Sequence, residues 1–371
     1  MDPRPASGEA LKDLAYRLST RLPLASVQRY ILALIFYSTP RKLANLLRCE
    51  IAKRRRHVEA TAYPFVLAFD TANSCNLRCP YCLTGQGRIA ARGRELNLDL
   101  LDQLLDEVSP YLLLGNLGNW GEPLLSPNVA EAVRRLHSRR IFTTISSNMS
   151  FQHDDRLKAV CDAGLDYLIV SADGATQPVY EQYRRRGRLD QVIRNIALVL
   201  DHRRSSGKST PIVEWQFVRF RHNACEVEIA RRLAADLGVD TFRMVPGVAP
   251  AEDEVPSDEP FQPRARDTYC EQLWHTVILN VDGGVAPCCY LHGKQEDFGR
   301  IQDRSLADIR QGARYREGRT LFSRSPDAAQ RVERGHPCLT CEVFTHRTLA
   351  PDPKAIIGRR FIGDRIGPLT S

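Results

Sequence analysis

Long apolar runs are missing from this 371-residue chain, and so is any broad surplus of charge. The longest strongly apolar stretch, Ile31–Tyr37, is seven residues, whereas a membrane-spanning helix takes about 20. No segment that crosses a bilayer is expected. No basic n-region, apolar h-region and small-residue cleavage site opens the sequence, so a reducing, cytoplasmic setting is expected. The formal charge of +8 is local: residues 1–60 hold 12 Lys+Arg against 5 Asp+Glu, and the rest holds 40 against 39. A nucleic-acid enzyme would carry its basic surface around the active site, so no nucleic-acid partner is expected. Repeats and low-complexity tracts are also missing, and 43% hydrophobic content excludes a wholly disordered chain.

From Phe65 onward, short β-rich runs alternate with helical stretches, the pattern of a parallel sheet with crossover helices. Strands are expected at Phe65–Asp70, Tyr111–Leu114, Ile141–Ser146, Tyr167–Ala172, Ile212–Phe220 and Thr241–Val245. Helices are expected at Leu96–Val108, Val129–His137, Leu189–His202 and Cys225–Leu237. Six units are too few for a closed eight-fold barrel, so the fold class expected is α/β, an open, partial (β/α)6 barrel over 61–248. An acidic, proline-rich linker at 249–268 follows. Thr276–Val281, Asp282-Gly283-Gly284 and Val285–Cys288 then read as a hairpin in a small cysteine-rich domain over 269–345, with a tail at 346–371. Residues 1–60 read as a helical basic segment, with helices at Leu11–Arg21, Val27–Tyr37 and Arg41–Arg56.

Eleven cysteines stand in this sequence. Cys75, Cys79 and Cys82 follow the first strand directly, at the barrel face where active sites lie. Three thiolates in eight residues can hold three irons of a cubane cluster and leave the fourth iron open. A zinc site is the alternative and needs a fourth ligand from elsewhere.

The Cys-x3-Cys-x2-Cys loop, with Tyr81 before its last cysteine, resembles that of the radical S-adenosylmethionine (SAM) enzymes. The resemblance covers roughly residues 65–345 and implies a mechanism. The open iron of a [4Fe-4S] cluster chelates SAM, the reduced cluster cleaves the sulfonium, and a 5′-deoxyadenosyl radical takes a hydrogen atom from the substrate. It also implies a reductant such as flavodoxin or ferredoxin. Gly118-Asn119-Trp120-Gly121-Glu122-Pro123 resembles the family's Gly-Gly-Glu-Pro segment, with Trp120 in place of the first glycine, so Gly121 and Glu122 are expected at the SAM amino group. Ser147-Asn148 resembles the segment near the ribose. Ser171-Ala172-Asp173-Gly174 resembles the Ser-x-Asp-Gly segment, which makes Ser171 and Arg184 the expected carboxylate contacts. Arg185, Arg186 and Arg188 compete for the arginine role. Gln216 could reach the same mouth.

Cys270, Cys288, Cys289, Cys338 and Cys341 form a second group. Alone, a hairpin cysteine with a Cys-x2-Cys hook fits a zinc ribbon as well as an iron–sulfur site. The arrangement resembles the shortened SPASM, or Twitch, domain of radical SAM enzymes. That resemblance implies an auxiliary [4Fe-4S] cluster held by Cys270, Cys288, Cys338 and Cys341, and Cys289 could exchange with Cys288. Cys49, Cys161 and Cys225 have no metal spacing.

The leading expectation for the chemistry is oxidation, or a related rearrangement, of a small hydroxylated metabolite: a sugar, cyclitol or lipid-linked sugar. The rivals are a maturase of a ribosomally made peptide and a zinc-stabilised binding module. Against the peptide reading, residues 1–60 offer no winged-helix type of peptide-recognition segment. Tyr290 and His292 are the candidate catalytic residues, whereas His222 and His275 are as readily structural. The basic N-terminal segment, through residues 10–58, is expected either to attach peripherally to an anionic membrane surface or to cap the barrel.

Overall fold

The computed structural model describes residues 25–89, 93, 95–247, 270–325, 327–341 and 344. The helix expected at Leu11–Arg21, the linker at 249–268 and the tail at 346–371 lie outside the described residues.

Six parallel strands form the body: β1 Val66–Phe69, β2 Leu114–Leu117, β3 Phe142–Ser147, β4 Tyr167–Ser171, β5 Ile212–Arg219 and β6 Thr241–Pro246, each hydrogen-bonded to its sequence neighbour. This is the partial (β/α)6 barrel. Two helices entering the chain before it are α1 Ala25–Tyr37 and α2 Pro40–Arg55. Among the crossover helices are α3 Leu98–Val108, α4 Val129–Ser138, α5 Asp154–Asp162, α6 Gln177–Tyr183, α7 Leu189–Ser205 and α8 Val227–Leu237. Helix α3 shows why they pack outward of the sheet: Leu101, Leu104, Leu105 and Val108, at i, i+3, i+4 and i+7, are all buried on one face.

Strand β2 lies three residues later than Tyr111–Leu114. Its sequence Leu-Gly-Asn-Leu has poor strand propensity, but pairing on both sides, to β1 and β3, overrides that preference. Gly115 is required by packing, because a Cβ there would stand 2.0 Å from Leu136 Cδ2 of α4.

The expected hairpin forms as β7 Thr276–Leu279 and β8 Gly284–Ala286, followed by β9 Gly299–Arg300. It does not stand apart from the barrel. Strand β7 runs parallel beside β1, pairing Val66 with Thr276, and makes one nine-stranded sheet in the order β6-β5-β4-β3-β2-β1-β7-β8-β9.

At the opposite end from the cysteine loop, α1 closes the barrel floor. Leu32, Ala33 and Tyr37 share a core cluster with Val66, Leu114, Phe142, Tyr167 and Ile212, the first residues of β1 to β5. Of the apolar run Ile31–Tyr37 in the N-terminal segment, Ile35 is exposed while Leu32, Ala33 and Tyr37 are buried. Helix α2 follows after the cap Thr39, whose side chain accepts from the Lys42 N–H. No helix among the described residues is long and apolar enough to cross a membrane.

Candidate active site at the barrel mouth

A cavity at the C-terminal strand ends is lined by Cys75, Cys79 and Cys82 and by Tyr81, Gly121, Glu122, Ser147, Asn148, Ser171 and Arg184. These residues come from the ends of four different strands or the segments that follow them, so only the fold unites them.

The cysteine loop is latched to the end of β3. Asn76 Nδ2 donates to the Ser150 carbonyl at 2.6 Å, and Asn148 Nδ2 donates to Asn76 Oδ1 at 3.0 Å while lying 3.7 Å from Cys75 Sγ. Burial is the largest influence on the Cys75 thiol, pushing it up to about 12. Such a thiol stays protonated at neutral pH until a metal centre draws it into ionisation.

The loop after β2 is shaped by a residue that motif reading missed. Asp70, at the end of β1, accepts with Oδ1 from the backbone N–H groups of Asn119, Trp120 and Gly121 at 2.7, 2.8 and 3.0 Å. A lone acidic residue directly after a buried strand was its only sequence signal. A Cβ on Gly121 would meet the Ala72 carbonyl oxygen at 1.6 Å, so the two loops approach closely only because that residue is glycine. Glu122 is buried and accepts from the N–H groups of Leu124 at 3.1 Å and Asn148 at 2.8 Å. Burial still outweighs these bonds and raises its carboxyl to about 7.

On the far wall, the arginine alternatives separate. Arg184 is buried in the cavity wall with Nε 2.5 Å from Asp173 Oδ2, while Arg185, Arg186 and Arg188 are exposed. Asp173 is itself fixed by the Val218 N–H at 2.6 Å. Ser146 Oγ lies 3.4 Å from Ser171 Oγ. Gln216 faces the cavity and accepts from Arg243 Nη2 at 2.6 Å, and Arg29 of α1 also lines it. Arg29 was not found from sequence because nothing local ties a residue of the N-terminal helix to the barrel interior.

Six buried polar atoms of cavity-lining residues have no hydrogen-bond partner among the described residues: both amide atoms of Asn119, Trp120 Nε1, Thr144 Oγ1, Arg184 Nη2 and Gln216 Nε2. Buried polar groups are rarely left unsatisfied. A zwitterionic, hydroxyl-rich nucleoside such as SAM offers the acceptors and donors they need, so the residues present fit that group.

The second cysteine group also assembles. Burial pushes the Cys338 thiol well up, followed by the influence of Cys288, Cys270 and Cys341, and Cys270 is raised by burial and then by Cys288 and Cys341. Cys338 is buried and Cys270, Cys288 and Cys341 are half-buried; thiolates gathered this closely repel one another unless a cation compensates them, a donor set suited to an iron–sulfur cluster. Cys289 is fully packed, and it is Cys288 that acts on Cys270 and Cys338. No three Cys, His, Asp or Glu side chains among the described residues converge on a single-ion point, whereas a cubane's ligands surround a box of atoms.

Tyr290 and His292 are not among the residues lining the cavity. His292 packs edge-on against Trp120 with centroids 5.6 Å apart, and its Nδ1 lies 3.0 Å from the Tyr290 carbonyl. His275 packs against Phe65 and His222 against Phe220.

Two family models match this chain: the radical SAM superfamily over residues 70–213 and an iron–sulfur cluster-binding (SPASM) domain over 270–342. The chain therefore belongs to the radical SAM superfamily and carries a SPASM domain, which makes it an enzyme of SAM, a SAM-binding [4Fe-4S] cluster and auxiliary iron–sulfur chemistry. The zinc-module alternative gives way to these matches. The chain is 23% identical over 294 residues to a tungsten-containing aldehyde ferredoxin oxidoreductase cofactor-modifying protein of Pyrococcus furiosus, covering 67% of this chain and 81% of that one. It is 25% identical over 284 residues to a PqqA peptide cyclase of Ruegeria pomeroyi, covering 66% and 73%. In fold it is similar to Streptococcus suis SuiB bound to S-adenosylmethionine, with TM-score 0.59, 14% identity, and 86% and 82% of the two chains covered.

Proposed function

We propose that this radical SAM enzyme modifies a ribosomally made peptide. The similarity to a peptide cyclase over 284 aligned residues carries this reading, and it puts the peptide ahead of the small-metabolite oxidation first expected. With relatives that are cyclases and a cofactor modifier, oxidoreductase chemistry is one outcome among several.

When bound, SAM and a reduced cluster supply one-electron cleavage of the sulfonium and removal of a substrate hydrogen atom. The chain's own residues bind and orient. Cys75, Cys79 and Cys82 would hold the SAM-binding cluster beside the SAM site. Gly121 and Glu122 receive the SAM amino group, and Ser171 and Arg184 its carboxylate, with Arg184 Nη2 as the available donor. Ser147 and Asn148 flank the ribose, and Tyr81 sits on the loop between the cluster cysteines. Cys270, Cys288, Cys338 and Cys341 would hold an auxiliary [4Fe-4S] cluster suited to electron transfer, with flavodoxin or ferredoxin as reductant.

A second reading, oxidation of a sugar, cyclitol or lipid-linked sugar, is favoured by one observation: Arg29, Thr144, Ser146 and Gln216 give the cavity a polar end. Anaerobically reconstituted enzyme with SAM and dithionite separates the two. Peptides encoded beside the gene and a panel of sugars and cyclitols are offered in parallel. A mass change in a peptide, with 5′-deoxyadenosine above background, supports the peptide reading; turnover of the small molecules alone overturns it.

A further inference from the structure

Helix α2 has its amphipathic sides reversed. Its buried residues are Lys42, Asn45, Cys49 and Ala52, small or polar groups served by the protein: Lys42 Nζ donates to the Arg140 carbonyl, Asn45 bonds both backbone groups of Tyr63, and Cys49 Sγ lies 3.0 Å from the Tyr63 carbonyl. Burial, followed by the charge of Arg140, pulls the Lys42 ammonium down to about 8. The outer face carries Leu43, Leu47 and Ile51, which are 46%, 61% and 41% exposed. Their four-residue spacing aligns them in one stripe along the helix. These are three of the five large hydrophobic side chains exposed among the described residues; the others are Ile35, on α1 just before this helix, and Ile229.

Beside the stripe, Arg41, Arg48 and Arg55 recur at seven-residue spacing, which places them along one flank of it, and all three are exposed. Arg54 is exposed too. Glu50, the sole acidic residue of the helix, is paired to Lys53 at 2.8 Å. Arg48 and Arg55 make no ion pair among the described residues. An apolar stripe bordered by unneutralised arginines complements a surface that is apolar beneath a negatively charged skin.

We infer that the outer face of α2 docks this enzyme on an anionic lipid bilayer, with Leu43, Leu47 and Ile51 entering the headgroup boundary and Arg48 and Arg55 facing lipid phosphates. The inference is independent of which substrate the barrel takes. It also changes which residues do the docking: the apolar run of α1 belongs largely to the barrel floor, and α2 supplies the contact.

The test uses full-length protein and sedimentation with vesicles of phosphatidylcholine alone or mixed 3:1 with phosphatidylglycerol. Binding is expected only to the mixed vesicles. The exposed triple variant Leu43→Ser/Leu47→Ser/Ile51→Ser should weaken it at least about tenfold, and Arg48→Ala or Arg55→Ala by about fivefold each, with far-UV circular dichroism and iron content unchanged. Equal binding by the triple variant, equal binding to both vesicle types, or no binding overturns the inference. So does a dimer, seen by light scattering, that the triple variant dissolves, because the face would then be covered by a second copy.

Discussion

The two cysteine groups differ in their settings, and on the proposed reading that difference divides the work of the enzyme. The first group places three thiols in one loop, on the wall of a cavity whose other walls carry polar atoms without protein partners. The second gathers thiols from three separate places, the segment before α9 (Gln272–His275), the end of the hairpin and the distal hook. A site short of one ligand and surrounded by unsatisfied donors recruits a molecule, and a site with its ligands complete serves structure and electron flow.

The most severe test of this division is a pair of substitutions. Cys75→Ala should remove about four irons per chain and abolish SAM cleavage, by iron analysis and 5′-deoxyadenosine chromatography. Cys338→Ala should also remove about four irons yet leave SAM cleavage in place while product formation fails. Loss of SAM cleavage in both would end the division of labour.

Next in size is a pH effect confined to the first site. Burial raises the folded-state pKa of Glu122 to about 7 from 4.5. Its protonated form therefore stabilises the SAM-free fold fully below 4.5, and this contribution is lost as pH rises through 7. At most about 3 kcal/mol is at stake, from 1.36 kcal/mol per unit. The thermal midpoint of SAM-free protein should fall between pH 5 and 8, and Glu122→Gln should flatten that fall. An unchanged slope in the variant would assign the effect elsewhere.

Arg184→Lys keeps the charge but loses the planar fork, so SAM affinity should fall about tenfold or more in equilibrium dialysis with iron content unchanged. The smallest effect is expected at Cys289: Cys289→Ala should retain all iron and cost within about 1 kcal/mol of stability by chemical denaturation. Loss of auxiliary iron there would exchange the roles of Cys288 and Cys289.

Much of this was legible because the signals are local. The helical periodicities of α3, α4 and α7 and the Cys-x3-Cys-x2-Cys loop each lie within one segment, so composition and spacing suffice. Strand β2 was misplaced because Gly115 and Asn116 disguise it and two paired neighbours impose it. Asp70 and Arg29 escaped notice because each acts on a partner far along the chain: Asp70 on backbone N–H groups about fifty residues away, and Arg29 through the barrel interior. That Arg184 rather than its three arginine neighbours is buried in the cavity wall against Asp173 is a matter of packing.

The +8 charge and the placement of +7 of it in residues 1–60 were determined by the sequence, as were the β/α order and the two cysteine groups. Which side of α2 faces outward, and that α1 closes the barrel rather than leaving it, was decided only by packing. A helix shows two faces to any reader of its periodicity; the sheet it lies against selects which one water or a membrane meets. Here the floor of the barrel, lined by Val66, Leu114, Phe142, Tyr167 and Ile212, claims α1, and the arginine-flanked leucines of α2 are left outside.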